Sequence, residues 1–419
     1  MKKYLLIVIL LLFQIFLAQR TCGTPQKMNN FFKANPDKVE YSKELRKFLE
    51  TSRNLKRQSK VTSVITIPVV VHVLYKNSIQ NISEAQIQSQ LTVLNNDFRK
   101  LNSDFSTVVP AAFQSYGADF EIAFCLATKD PNGNATTGII RKSIPSSFVF
   151  DDDYYKPQGD LAWDTTKYLN IWIGEFTDTT LLGWAYLPDA VDATDSNGYY
   201  FDGLCIGYKY FGTIGTATAP YNKGRTATHE IGHYFGLNHP WGEDGSICGN
   251  SNNDDGVQDT PGTDNPYYGT PVFPNFDNVC DVTTYPSGAM FMNYMDYVDD
   301  INMAFFTLGQ KNIAQNTLAG PRASLLNSNA CTTLSVFDSE KISKIVLYPN
   351  PSSQYISVSS PLANFDGIEI FDNSGKLVLS KSKIQSQEKI DIKFLPSGLY
   401  FVRVYSNSTL LKSDKFIKK

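Results

Sequence analysis

A chain of 419 residues is too long for one core and implies two or three domains. Its 42% hydrophobic and 13% aromatic content excludes a disordered or fibrous protein. A net charge of -3, with the basic residues scattered, argues against nucleic acid as a partner.

The chain opens like an exported protein. Lys2 and Lys3 precede an apolar run from Tyr4 to Leu17 broken only by Gln14, and Ala18 is the expected last residue before cleavage of a signal spanning 1–18. The run is shorter than the ~20 residues that a membrane-spanning helix needs. No other stretch approaches that length, so no stable membrane span is expected. Six cysteines (Cys22, Cys125, Cys205, Cys248, Cys280 and Cys331) fit an oxidising compartment, and the lack of a CxxC pair disfavours a cysteine zinc site. Residues 19–60 are polar and charged and end in Arg53, Lys56, Arg57 and Lys60. They read as a removable pro-segment with protease-sensitive sites, against the plainer alternative of a mobile arm.

Residues 61–335 form the main domain. Ile67 to Tyr75 is a β-branched run of the kind found in buried strands. A helix follows: Ser83 and Gln86 have capping-box spacing, and Ile87, Leu91, Leu94 and Phe98 share one face. Further strands are expected at Phe120–Leu126 and Tyr168–Ile173, ahead of a helix that carries the histidines. That order predicts a sheet with a helix packed on it. His72, inside the first strand, reads as a hydrogen-bonded core histidine. Beyond His239 the chain is rich in Asn, Asp, Gly and Pro and should be mostly irregular. From about 340 to 419 the pattern changes to short alternating strands at Ile345–Tyr348, Ile356–Val358, Ile368–Phe371, Leu377–Leu379, Ile390–Ile392, Tyr400–Tyr405 and Lys415–Ile417. Turns such as Asn373-Ser374-Gly375 and Pro396-Ser397-Gly398 separate them, which predicts a small all-β sandwich.

The chemistry lies in Thr228 to His239. His229 and His233 stand at i and i+4, one turn apart on one helix face, so both imidazoles can reach one ion. Glu230 can hydrogen-bond a metal-bound water without ligating the metal. Gly236 allows the helix to end in a left-handed turn, after which the chain reverses and delivers His239. Three protein ligands leave a fourth position for water, as catalytic zinc sites do. A bare HExxH arises by chance in about one chain in a hundred of this length; adding Gly236 and His239 lowers that about a thousandfold. Three of the four histidines fall in this stretch. The rival reading, a non-catalytic zinc-bearing surface-binding protein, has no use for Glu230.

The segment HEIGHYFGLNH resembles the metzincin signature HExxHxxGxxH, and NYMDY (Asn293 to Tyr297) resembles the methionine turn of that clan. With the intervening DDGVQDTPGT, the chain is similar to the pappalysin family over most of residues 65–330. The resemblance implies an α+β, two-lobed metzincin-type zinc peptidase domain: a twisted mixed sheet with the active-site helix, then an irregular C-terminal lobe. It implies a secreted zinc endopeptidase acting on protein or peptide substrates. Met295 would floor the metal, Tyr297 would stabilise the oxyanion, and Gly183, Trp184 and Ala185 would belong to a substrate-aligning edge strand. It also implies a Cys248–Cys280 disulfide. A second family disulfide is missing, since Asn302 and the Tyr267-Tyr268 region lack its cysteines. Related enzymes bind calcium at a loop matching Asp254, Asp255, Asp259 and Thr260, and some favour a basic residue after the cleaved bond. Arg20-Thr21-Cys22-Gly23-Thr24 resembles a cysteine switch, in which Cys22 masks the zinc of a zymogen. The end of the chain resembles the sorting domain of type IX secretion substrates, on Tyr348-Pro349-Asn350-Pro351, Ser397-Gly398-Leu399-Tyr400 and the basic terminus Lys415 to Lys419. That implies the type IX machinery as a partner, passage through the periplasm and outer membrane, and a stay at the cell surface until the sorting domain is removed.

Overall fold

Alternation of valines and isoleucines along one strand organises the main unit. Strand β2 (Ile65–Tyr75) is buried on both faces from Ile67 to Leu74, so it lies at the centre of a sheet. The computed structural model describes residues 20–51, 64–190, 200–242, 248, 255–331, 345–359, 367–372, 376–382, 384–385, 387–406 and 409–419. The expected signal at 1–18, the basic cluster Arg53, Lys56, Arg57 and Lys60, Asp254 and the Asn373-Ser374-Gly375 turn lie outside the described residues. The chain divides into two units, 1–331 and 332–419.

In the first unit the elements run β1 (Thr21–Cys22), α1 (Thr24–Ala34), α2 (Lys38–Thr51), β2, α3 (Glu84–Phe98), β3 (Ile122–Leu126), β4 (Ile139–Ser143), β5 (Leu169–Gly174), β6 (Leu181–Ala185), β7 (Leu204–Gly207), α4 (Arg225–Tyr234), β8 (Tyr268–Gly269), β9 (Tyr297–Val298) and α5 (Leu308–Ala319). The sheet order is β1-β6-β7-β5-β2-β3, with β4 also beside β2. All pairings are parallel except β6 with β7, so the sheet is mixed. Val69, Val71, Val73, Ile171 and Ile206 point from one face into the core that holds α3 and α4. Leu74, Trp172, Trp184 and Cys205 point the other way, into an aromatic cluster with Phe150 and Tyr154. Beyond α4 the chain has little regular structure until α5.

One local expectation resolves differently in detail. Ser83 caps α3 by accepting the Gln86 N–H at 3.1 Å, but Gln86 does not complete the box. Its buried amide turns to the Phe211 carbonyl (2.8 Å) and the Thr216 hydroxyl (2.9 Å), because the loop after β7 needs donors more than the helix end does. The reciprocal capping box belongs to α5, between Thr307 and Gln310. Residues 20–51 are not an arm: they form β1 and two helices packed on the unit. His72 is a core histidine, with Nδ1 2.6 Å from Asp160 and Nε2 3.0 Å from Asn170.

Cys125 pairs with Cys331 across 206 residues, tying β3 to the end of the unit, and Cys248 pairs with Cys280. Cys205 stays a buried thiol. Where the second family disulfide is missing, β8 pairs with β9 and the Asp299 N–H bonds the Gly269 carbonyl at 2.9 Å, so backbone hydrogen bonds hold that loop.

The second unit is a sandwich of a three-stranded sheet, β10-β11-β14, and a four-stranded sheet, β13-β12-β15-β16. The strands are β10 (Val346–Tyr348), β11 (Tyr355–Ser359), β12 (Gly367–Phe371), β13 (Leu377–Ser382), β14 (Ile390–Asp391), β15 (Gly398–Ser406) and β16 (Thr409–Lys418). Ile356, Val358, Ile368, Ile370, Val402, Val404 and Phe416 share one core. β16 extends well beyond the expected Lys415–Ile417. Its lysines obscure the alternation, while the full-length pairing with β15 makes it a strand. Among the described residues no helix is long and apolar enough to cross a membrane.

Candidate active site

Every residue of α4 is buried, and the i and i+4 spacing of His229 and His233 brings their rings to 4.8 Å between centroids. His233 Nε2 lies 3.1 Å from His239 Nε2, which lies 3.2 Å from His229 Nε2. The outer ring nitrogens decide the tautomers. His229 Nδ1 is 2.7 Å from the Tyr294 carbonyl and His233 Nδ1 is 2.7 Å from the Leu237 carbonyl, so both donate there. Their Nε2 atoms are therefore bare lone pairs turned on one point. Burial, then the two neighbouring histidines, holds His229 well below the ordinary histidine range. Nitrogens crowded this closely suit a metal cation between them.

The turn after α4 produces the third member. Gly236 has φ +91°, which a side chain would strain, and the Leu237 N–H returns to the Gly232 carbonyl at 3.0 Å. Trp241, which the sequence did not single out, stacks on His239 with centroids 4.6 Å apart and sets its edge against Tyr297 at 4.8 Å. Tyr297 also faces His239 at 5.0 Å and His229 at 5.7 Å. Its N–H bonds Asp296, a carboxyl pushed up to about 7 by burial.

Met295 lies under the helix. A Cβ on Gly232 would come within 2.4 Å of the Met295 sulfur, so the second variable position of the motif must be glycine here. Gly232→Ala is expected to cost about 1–3 kcal/mol by overpacking, read as a lower melting temperature and faster metal loss on dialysis. Adding Met295→Ala to it should recover part of the stability.

Cys22 joins the three histidines: the four ligand atoms lie within 4.8 Å of one another. Its sulfur is 3.4 Å from Glu230 Oε2, and the Thr24 hydroxyl is 3.3 Å from the same oxygen. β1 brings it there by pairing with β6, Cys22 beside Gly183, and the Gly23 N–H bonds the Gly183 carbonyl at 2.9 Å. Ala185 N–H bonds the Thr24 hydroxyl at 2.9 Å. The Trp184 ring is buried in the aromatic cluster of the other face, where Lys27 of α1 lies over it at 4.9 Å. Arg20 is buried and forms an ion pair with Asp300, its guanidinium over the Tyr221 ring. The expected calcium residues form a separate loop. Asp255 accepts from Val257 N–H (3.0 Å) and the Thr260 hydroxyl (2.6 Å), while Asp259 accepts from the Thr307 hydroxyl (2.6 Å) and Gly309 N–H (2.9 Å).

A mixed sheet, a buried helix with two of three converging histidines, a glutamate beside them and a methionine beneath define a metzincin-type metallopeptidase. Residues 154–319 match the family model described as pregnancy-associated plasma protein-A, and residues 346–419 match the secretion system C-terminal sorting domain. An extracellular metalloprotease of Arthroderma benhamiae is 30% identical over 303 residues, 71% of this chain and 90% of that one. Mature mirolysin of Tannerella forsythia, solved with a cleaved peptide, is 43% identical, with TM-score 0.57 over 63% of this chain and 96% of that one. A mutant promirolysin of the same organism is 38% identical, with TM-score 0.62 over 73% of this chain and 96% of that one. The chain belongs to the pappalysin family of metallopeptidases. It is a secreted metalloendopeptidase made as a zymogen, it acts on peptide substrates, and it carries a tail for the type IX secretion machinery.

Proposed function

We propose that the metal is zinc, held by His229, His233 and His239, and that Cys22 takes the fourth position in the zymogen. The observation that carries this is the convergence of three Nε2 atoms with one thiol, a nitrogen and sulfur donor set that suits zinc. Bound zinc supplies Lewis acidity, which acidifies a water and polarises the peptide carbonyl. Glu230 takes the water proton and passes it to the leaving amine. The Tyr297 phenol stabilises the charge that develops on the carbonyl oxygen. Met295 fixes the floor through its contact with Gly232. The backbone of Gly183 to Ala185, paired with β1 in the zymogen, aligns an extended substrate by strand addition once the pro-segment is gone.

The reading extends to substrate class. Arg20 and Asp300 form a buried pair two residues from the metal-facing thiol. β1 runs parallel to β6, opposite to the sense in which a substrate strand pairing antiparallel would lie. Such a substrate carries into the Asp300 pocket the side chain just after its cleaved bond, so we expect cleavage before Arg or Lys. Mass spectrometry of products from a peptide library should show this preference. Asp300→Asn is expected to lower kcat/KM for those bonds by about 100-fold, as for one partner of a buried charge pair. An unchanged preference would remove Asp300 from the specificity pocket.

Asp255, Asp259 and Thr260 offer the hard oxygen donors that calcium takes, and we retain calcium at this loop as part of the proposal. Millimolar calcium should then raise the melting temperature of the zinc-loaded protein, and an unchanged value would end that part. For export, we propose passage through the periplasm and outer membrane, with the 346–419 tail removed afterwards.

A further inference from the structure

Besides the packing of α1 on Leu187 and Ala190, the pro-segment touches the peptidase unit at two places. One is β1, in the cleft. The other is α2, whose Tyr41, Leu45, Phe48 and Leu49 recur at i, i+4, i+7 and i+8 as an apolar stripe. Leu45 and Leu49 are buried in the same core as Phe235, Leu237 and Leu318. Arg46 donates from Nε to Asp189 at 3.0 Å and from a terminal nitrogen to the Gly236 carbonyl at 2.8 Å. Ser42 adds a hydrogen bond to Asp189 at 2.9 Å, and the Asn316 amide reaches the Leu49 carbonyl at 2.9 Å. A Cβ on Gly236 would lie 3.2 Å from a Leu49 methyl, so the turn that delivers His239 is shaped to admit this helix.

None of these contacts involves Cys22, Glu230 or a histidine. All of them lie on the N-terminal side of the basic cluster at 53–60. A cut there removes the covalent link to β2 and leaves every described contact of the segment intact.

We propose that Asp189, the Gly236 turn and α5 form a docking surface for α2 that works independently of the cysteine switch. A chain cut between 52 and 63 keeps its pro-segment and stays latent until α2 is lost. Linkage through α1 lets each anchor hold the other at high effective concentration, so release requires both to let go. The inference rests on the reading of 20–51 as the pro-segment with Cys22 at the metal centre.

The test uses the full chain with a site for a sequence-specific protease placed at residues 56–60. After cleavage, the N-terminal fragment should co-elute with the body on size exclusion, and casein hydrolysis should stay low. The Cys22→Ala chain, cut in the same way, should still retain its fragment. Arg46→Ala should release it at least ~30-fold faster, the scale of an interface hot spot, with activity appearing in step, and Arg46→Lys should recover part of the retention. Asp189→Asn should act in the same direction as Arg46→Ala, which keeps the test decisive if one variant folds poorly. Loss of the fragment from cut wild type at the Arg46→Ala rate, or its release by Cys22→Ala alone, would overturn the second anchor. The peptidase reading would survive either result, since the released body would then be active on casein.

Discussion

Replacing Glu230 with glutamine should lower kcat/KM on casein by about 10³–10⁴-fold, the range for losing a general acid–base, while metal content and melting temperature stay near wild type. The carboxylate is buried between α4 and β6, in contact with Cys22 and Thr24. It lies beside the histidine cluster without belonging to it, because residue i+1 of a helix points about 100° away from residue i. An amide of the same shape keeps the packing and cannot accept the proton. Metal analysis separates this outcome from a collapsed site. A variant that retains its metal and cleaves at an unchanged rate would refute Glu230 as the base.

The second large effect lies behind the helix. Arg225 opens α4, and its guanidinium meets Asp97, the Asp104 carboxylate at 2.8 Å and the Tyr294 hydroxyl at 2.5 Å. Asp97 also accepts the Thr228 hydroxyl at 2.7 Å, and the Tyr294 backbone carbonyl receives His229 Nδ1. One cation thus ties α3, α4 and the methionine turn together and, through Tyr294, orients His229. Arg225→Met leaves the Asp97 carboxylate buried without its cation, which should cost about 3–5 kcal/mol, read from urea midpoints. It should also weaken metal binding by about 10–100-fold through the lost support of His229. A change below about 1 kcal/mol would show that the network is not structural. Adding Asp97→Leu to the variant should restore part of the loss.

The pH sign follows from Asp97. Burial, against the pull of Arg225, pushes its carboxyl from 3.8 to about 6. An acid whose folded pKa is raised binds more protons in the folded state. Its contribution is fullest below the unfolded value and is lost as pH rises through the folded one. Arg225→Met raises Asp97 further, so the variant should be closest to wild type near pH 4 and fall away steadily as pH rises past 6.

The metal helix was legible because its information is local. Spacing of i and i+4 puts His229 and His233 on one face whatever surrounds them, and Gly236 marks the turn for a conformation that few residues adopt. The strands of the sandwich were legible for the same reason, through alternation, and the most misjudged length, β16, is where lysines hide the period. Arg20 and Cys22 stood in a recognisable motif, but nothing near them in sequence names Asp300, 280 residues away. Trp241 carried no signal either, since an aromatic after a ligand is common and only the stack on His239 gives it a role.

By itself, then, the sequence determined the histidine and glutamate motif, the methionine turn and the exported two-part design, on which the proposed ligand, base and switch roles rest. Only the tertiary structure decided which cysteine meets Cys331, why Gly232 must be glycine, where Arg20 is buried and that α2 grips the turn behind His239. The physical reason is range. Helical and strand periods are set by neighbours a few residues apart, whereas a buried ion pair, a disulfide or a docked helix is chosen among many chemically equal partners by how the whole core packs.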